Sequence, residues 1–119
     1  MADLTRKDVI IILANSEHAR LAGVDFSGLD LHGLNFAGAD LIRANFAGAD
    51  LTYAYMRHAQ FEDANLEDAI LVNANLKEAN LKGARMRNAR LTGTVLTDAN
   101  LYKADVTEAA LDEAIGASR

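Results

Sequence analysis

The three histidines, His18, His32 and His58, are the side chains of this sequence best suited to metal ligation or proton transfer. A structural or catalytic zinc site needs three or four nitrogen, sulfur or carboxylate ligands converging on one point. The chain has no cysteine to supply a thiolate, and no second ligand recurs near any histidine at metal-binding spacing. Nucleophilic catalysis has no better footing. Ser16, Ser27 and Ser118 lack a histidine and an acid in register, the arrangement that activates a hydroxyl. The histidines therefore read as isolated surface groups, and no catalytic residue, metal or cofactor is expected. One phosphate-binding chemistry remains, a basic cluster of Lys77, Lys82, Arg85, Arg87 and Arg90. Whether it faces nucleic acid depends on what the fold stacks above and below it.

The totals restrict that fold. A chain of 119 residues has room for one domain. Half its residues are apolar, yet it has only four Phe, three Tyr and no Trp, so a thin core of Ala and Leu is expected. The net charge of −5 argues against electrostatic binding of nucleic acid. Near the start, Arg6 and Lys7 precede the apolar run Val9 to Ala14. That run is too short for a signal peptide, no small-residue cleavage site follows, and nothing approaches a membrane span. A cytoplasmic protein without membrane contact is the expectation.

An internal period dominates the sequence. Central residues, denoted i, recur every fifth position: Leu21, Phe26, Leu31, Phe36, Leu41, Phe46, Leu51, Met56, Phe61, Leu66, Leu71, Leu76, Leu81, Met86, Leu91, Leu96, Leu101, Val106 and Leu111. Position i−2 is Ala in fifteen of these nineteen units, the exceptions being Val24, Leu29, Leu34 and Thr94. A period of five fits neither regular element. On an α-helix it would spiral the leucines round every side, and on a flat strand it would flip each one to the opposite face. The pattern is satisfied if i−2 and i point inward from a short extended piece and the other three residues turn a corner. Glycine at i+2, as at Gly83 and Gly93, and Asp or Asn at Asp63, Asp68, Asn73, Asn88 and Asp98 supply residues that tolerate positive φ there.

The units Ala-Asp-Leu at 39–41 and 49–51, Ala-Asn-Phe at 44–46 and Ala-Asn-Leu at 64–66, 74–76, 79–81 and 99–101 resemble the pentapeptide-repeat family, over roughly residues 19 to 114. The resemblance implies an all-β solenoid, a right-handed quadrilateral parallel β-helix with four units per twenty-residue coil. Just under five coils are then expected, stacked at about 4.8 Å. Residues 1–17 read as an N-terminal capping helix, 18–114 as the β-helix and 115–119 as a tail. Thr5 with Asp8 predicts the N-cap, and Val9, Ile12 and Leu13 its apolar stripe. The bulky i−2 residues Val24, Leu29 and Leu34 are expected to fill the space beneath it. Residues 107–115 fit either a further unit or a short helix starting at Thr107, and an incompletely covered end there would allow an end-to-end homodimer besides a monomer.

Twenty-residue stacking sets Lys82 against Glu62, Arg87 against Glu67 and Arg85 against Asp105, so the basic cluster reads as compensated surface. Arg20–Asp40 and Arg43–Asp63 are further expected pairs. Two faces are net acidic, one carrying Asp30, Asp50, Asp112 and Glu113, the other Asp25, Glu67, Asp68, Asp105 and Glu108. Some members of the family resemble duplex DNA and occupy the DNA-binding saddle of gyrase, which makes a topoisomerase-directed DNA mimic the alternative reading here. This chain is shorter than those proteins, and its unbroken phase leaves no projecting loop. The least expected outward residues are apolar: Tyr53, Tyr55, Ile70 and Val72 stand where polar residues are usual, with Ile70 replacing Asp or Asn at i−1. They form a candidate patch for a protein partner, in a non-enzymatic interaction or scaffold module.

The inward assignment has a direct test. Leu66→Ala should destabilise by about 2–5 kcal/mol through lost burial and a cavity. Ala64→Leu should cost about 1–3 kcal/mol by overpacking the i−2 position. Thermal melting that leaves both variants at the wild-type midpoint would refute the assignment.

Overall fold

In the computed structural model, residues 4–118 are described. Helix α1 (Arg6–Ala14) and helix α2 (Glu108–Glu113) bracket the run of five-residue units. Fifteen parallel bridges join residues twenty apart, from Arg20↔Asp40 to Arg85↔Asp105 and Val95↔Ile115. Each bridge falls on an i−1 residue, because a side of the coil is too short to form a longer ladder. Four units thus separate each residue from its bridge partner on the next coil.

The unit from Ala44 to Gly48 shows why the repeat closes. The N–H of Ala44 donates to the Leu41 carbonyl at 3.0 Å, closing the corner turn. Asn45 donates back one coil to Val24, at 2.9 Å. Phe46 and Gly48 donate forward one coil, to Asn65 at 2.7 Å and Glu67 at 2.9 Å. The remaining N–H, of Ala47, donates to the side chain of Asn45 at 3.0 Å. All five amides are therefore used, and the Asp or Asn at i−1 is there to take the one that the neighbouring coils leave over.

Corner geometry places every i+2 residue from Gly23 to Lys103 at positive φ, with glycines near +70° and ten other residues near +60°. At Gly83 and Gly93 a second constraint applies. The side chains of Asp63 and Asn73, one coil earlier, lie where a Cβ would project.

The inward residues make one continuous core. Phe26 and Phe46 stack at 4.7 Å between ring centroids, and Phe36 meets both edge-on at 6.0 and 5.9 Å. Thr94, the polar exception at i−2, is fully buried and its hydroxyl donates to the Leu71 carbonyl at 2.6 Å. The expected core is incomplete at its far end. Leu101 and Val106 are only half-buried, since no full coil follows to cover them. There the chain forms α2, with Thr107 as its N-cap, and Ala110 in the helix replaces the bridge partner that Arg90 would have had. Ile115, placed in the tail by the sequence, instead returns to the solenoid. Its N–H donates to Thr94 and its carbonyl accepts from Leu96, both at 2.8 Å.

At the other end, Thr5 and Asp8 form the expected capping box of α1. Val9 is fully buried against the first coil, while Ile12 and Leu13 are half-buried. Arg6 donates to the carbonyls of Asp30 and His32, both at 3.1 Å, which have no preceding coil to serve. Val24, Leu29 and Leu34 do not fill the space completely. A nine-residue helix cannot cover a four-sided end, and a groove of about 480 Å³ remains between Leu13 and Leu34.

Three carboxylates at this end are held below their ordinary pKa. For Asp8 the main cause is the Thr5 N–H. For Asp25 it is the Ser27 hydroxyl. For Asp30 it is the His32 ring, at 2.6 Å, followed by the His32 N–H. A carboxylate with a lowered pKa stabilises the fold above its ordinary pKa and loses that contribution as pH falls through the lowered value. Acidification from about pH 5 to about pH 3 should therefore fray α1 and the first coil first. Hydrogen exchange should show the Leu31 N–H losing protection before that of Leu71. Simultaneous loss at both would contradict this.

Candidate protein-contact surface

The four apolar residues singled out in the sequence lie on two adjoining sides of the solenoid. Ile70 and Val72 flank buried Leu71 on one side. Tyr53 sits at the corner one coil earlier, its N–H donating to the Val72 carbonyl at 3.0 Å, and Tyr55 begins the next side. The two tyrosines are 63% and 58% exposed. Ile70 and Val72 are half-buried. The column through Tyr55 continues across Asn75 to Val95 and Ile115, and Ile115 is 55% exposed.

Tyr53 is held at φ +60°. An aromatic residue in the left-handed region costs roughly 1–2 kcal/mol, whereas a glycine, present at the same corner in Gly33 and Gly93, avoids that cost. The backbone needs the conformation; it does not need a tyrosine.

The patch, like the units of Gln60 and Arg85, departs from the hydrogen-bonding pattern of the Asp and Asn units. Where i−1 is Asp or Asn, its side chain takes the N–H of i+1, as at Asp40–Ile42, Asn65–Glu67 and Asn75–Lys77. Tyr55, Ile70, Arg90 and Val95 have no acceptor to offer. Among the described residues, the N–H groups of Arg57, Val72, Thr92 and Thr97 consequently have no hydrogen-bond partner within the protein. Sequence reading noted the missing Asp or Asn at Ile70 but not this consequence. The signal was present in the i−1 column, where four of the exceptions to the Asp/Asn rule surround the same corner.

Elsewhere the surface is more fully compensated, though not in the expected pairs. Arg85 pairs with Glu67 at 3.7 Å and Arg87 with Asp105 at 3.4 Å, each eighteen residues apart and not twenty. Asn80 reaches Glu62 at 2.7 Å by the same diagonal. Two outward residues of one side lie about 7 Å apart along the chain, within reach of a long side chain, so the column alone does not select the partner. Lys82, Arg20 and Arg43 form none of the expected ion pairs among the described residues. The histidines remain separate. His32 binds Asp30, His58 lies 3.6 Å from Glu78, and His18 packs over Gly38. No group of three metal-ligating side chains occurs among the described residues, and no helix of theirs is long and apolar enough to cross a membrane.

Comparison with known proteins agrees with this architecture. The family model for pentapeptide repeats (8 copies) matches residues 19–57, 30–68, 59–98 and 79–115. The chain is 32% identical to the pentapeptide repeat protein Rfr23 of the cyanobacterium Cyanothece 51142, with a TM-score of 0.56 over 76% of its own length. It spans 54% of that structure. It is 34% identical to a pentapeptide repeat protein of the Arabidopsis thaliana thylakoid lumen, covering 69% of this chain and 68% of the other, with a TM-score of 0.41. QnrB1, a plasmid-mediated fluoroquinolone resistance protein, is 19% identical with a TM-score of 0.40, covering 76% of this chain and 52% of its own. That distance carries no functional argument. No curated protein matches. The repeat, the twenty-residue pairing and the family match lead to one conclusion: this chain belongs to the pentapeptide-repeat family, whose fold is a right-handed quadrilateral β-helix.

Proposed function

We propose that the chain is a non-enzymatic interaction module, a β-helix of just under five coils partly covered at its N-terminal end by α1. Its contact surface for a protein partner is the corner formed by Tyr53, Tyr55, Ile70 and Val72. The observation that carries this reading is Tyr53, an exposed aromatic kept in a conformation that favours glycine. Nine other non-glycine residues share that φ, so what marks Tyr53 is its exposed aromatic side chain, and tyrosine is among the residues that dominate protein interfaces. The core is filled with Ala, Leu and Phe side chains, which supports a role in contact over one in catalysis.

A topoisomerase-directed DNA mimic is the competing reading, and the surface weighs against it. Two carboxylates of one acidic side, Glu67 and Asp105, are paired with arginines, which breaks up any duplex-like track of negative charge. Titration of the protein into a gyrase supercoiling assay separates the two readings.

The patch is tested by substitution. Tyr53→Gly should leave stability unchanged or raise it by up to about 1 kcal/mol, because relief of left-handed strain exceeds the added chain entropy of glycine. Tyr53→Ser with Ile70→Ser should shift the melting midpoint only modestly, with Ile70 contributing most since it alone of the two is half-buried. The double variant should abolish capture of a native partner, whereas Lys82→Ser with Arg87→Ser should retain it. Wild-type capture by the double variant would end the reading.

A further inference from the structure

Helix α1 carries more apolar surface than the solenoid covers. Val9, Ile12 and Leu13 pack toward the first coil, while Ile10, Ile11 and Ala14 are turned away from it and exposed. Ile10 and Ile11 are 42% and 52% exposed. A surface helix normally keeps its outer side polar, and a helix that is apolar all round is one buried on every side. Beside α1 runs the groove left over the first coil, lined by Leu13 and Ala14 of the helix and by Leu34 and Ala37 of the solenoid. An apolar ridge and an apolar furrow thus lie next to each other on one end of the molecule. We propose that the occupant of this groove is α1 of a second copy, related by a two-fold axis, so that two solenoids join by their N-terminal ends. Such an interface requires both shapes on one surface, because each copy must give and receive the same element. The inference is independent of the corner patch, which lies on the sides of the solenoid and stays free in both copies.

Charge fits this occupant and sets the two helices antiparallel. Lys7, in the first turn of α1, and Glu17, past its end on the rim of the groove, form no ion pair among the described residues. The last turn of α1 holds no basic residue, so the negative end of its dipole is also unmatched. Ile10 is the midpoint of Arg6–Ala14. A two-fold axis beside it brings the first turn of one helix to the last turn of the other, where Lys7 meets both Glu17 and the helix C-terminus of the second copy. The remaining charges at this end are of both signs, Arg6 and Arg20 with Asp8, Asp25 and Asp30, and Asp30 already lies 3.6 Å from Arg6. The opposite end differs. Asp105, Glu108, Asp112 and Glu113 gather around α2 there, so two copies meeting at that end would bring like charges together. The area available is modest. The two shorter extents of the molecule, 26 × 22 Å, bound an end face of roughly 570 Å² in projection for each copy, close to the lower edge of stable interfaces, about 1,200 Å² in total. A dimer that dissociates on dilution is the consequence.

Sedimentation velocity of the full chain, from low to high micromolar concentration, tests the proposal. The wild type should pass from monomer to twice that mass as concentration rises. Ile11→Glu should remain monomeric throughout, with an unchanged melting midpoint in dilute solution, because Ile11 faces away from the first coil. Lys7→Glu or Glu17→Lys alone should weaken the dimer about fivefold to tenfold, since each exposed ion pair occurs twice across a two-fold axis. The two exchanges together should restore wild-type association, a rescue that a merely structural role for either residue would not produce. Tyr53→Ser with Ile70→Ser should leave association unchanged, which keeps this test separate from that of the corner patch. A wild type that is monomeric at every concentration would overturn the proposal. So would a dimer that survives Ile11→Glu and is lost on Ile115→Glu, which would place the contact at the opposite end. A double charge variant that associates no more tightly than either single one would overturn the antiparallel arrangement. Should Ile11→Glu unfold the chain, the charge exchange alone decides.

Discussion

The amide of each central residue from Leu21 to Met86, and of Leu96, donates to a carbonyl nineteen residues ahead, and the rest of the molecule follows from that repeated bond. It brings chemically equivalent units into contact, so each Leu or Phe packs on its counterpart and each corner stacks on a corner. It also explains why the chain has no proline. Where i−1 is Asp or Asn, four of the five amides in a unit are committed to backbone carbonyls and the fifth to a side chain, so a residue without N–H would break the pattern at almost any position. The inward Ala at i−2 follows as well, since the coil is too narrow for two large side chains in each unit.

Such a framework decouples the outside from the inside. Outward residues at i−1, i+1 and i+2 contribute little to the core, so they are free to vary provided that the turn tolerates them. The Asp or Asn at i−1 is the exception, because it completes the hydrogen bonding of its own unit. Replacing it by Ile or Tyr therefore changes two things together, adding apolar surface and releasing a backbone donor. Around Tyr53 these changes fall on both sides of one corner, giving a small apolar region on an otherwise polar surface.

The fold was legible in the sequence because its constraints are periodic. Position i must be large and apolar in every unit, i−2 small, and i+2 tolerant of positive φ. From Leu66 to Leu96 the rule holds apart from Glu78 at i+2 and Thr94 at i−2, whose hydroxyl finds a carbonyl inside the core. Features that depend on lateral reach or on an end were not legible. Periodicity aligns Glu67 with Arg87, but a guanidinium spans the gap to the next outward position, and Arg85 takes the carboxylate. Nor does the pattern show that α2 interrupts one side before Ile115 resumes pairing, because Ala109, Leu111 and Ala114 keep the five-residue phase within a helix. Arg6 looked like part of a short basic start and instead supplies donors to two carbonyls of the first coil. Of the contact surface, the identities of the four apolar residues could be read from the sequence; their unequal exposure could not, since the period fixes which way a residue faces and not how much of it its surroundings cover.

Four units to a coil give the molecule an indexing property with consequences for how such chains diversify. Duplicating one five-residue unit preserves every core contact yet turns all that follows by a quarter revolution. A duplication between Phe61 and Leu66 would leave Tyr53 and Tyr55 in place and carry Ile70 and Val72 to a different side, dispersing the patch while the scaffold stays intact. Duplicating four units together lengthens the rod and restores every alignment. Surface function in this architecture is thus vulnerable to changes in unit number that the core would scarcely register, and lineages that retain a composite surface should gain or lose length in whole coils.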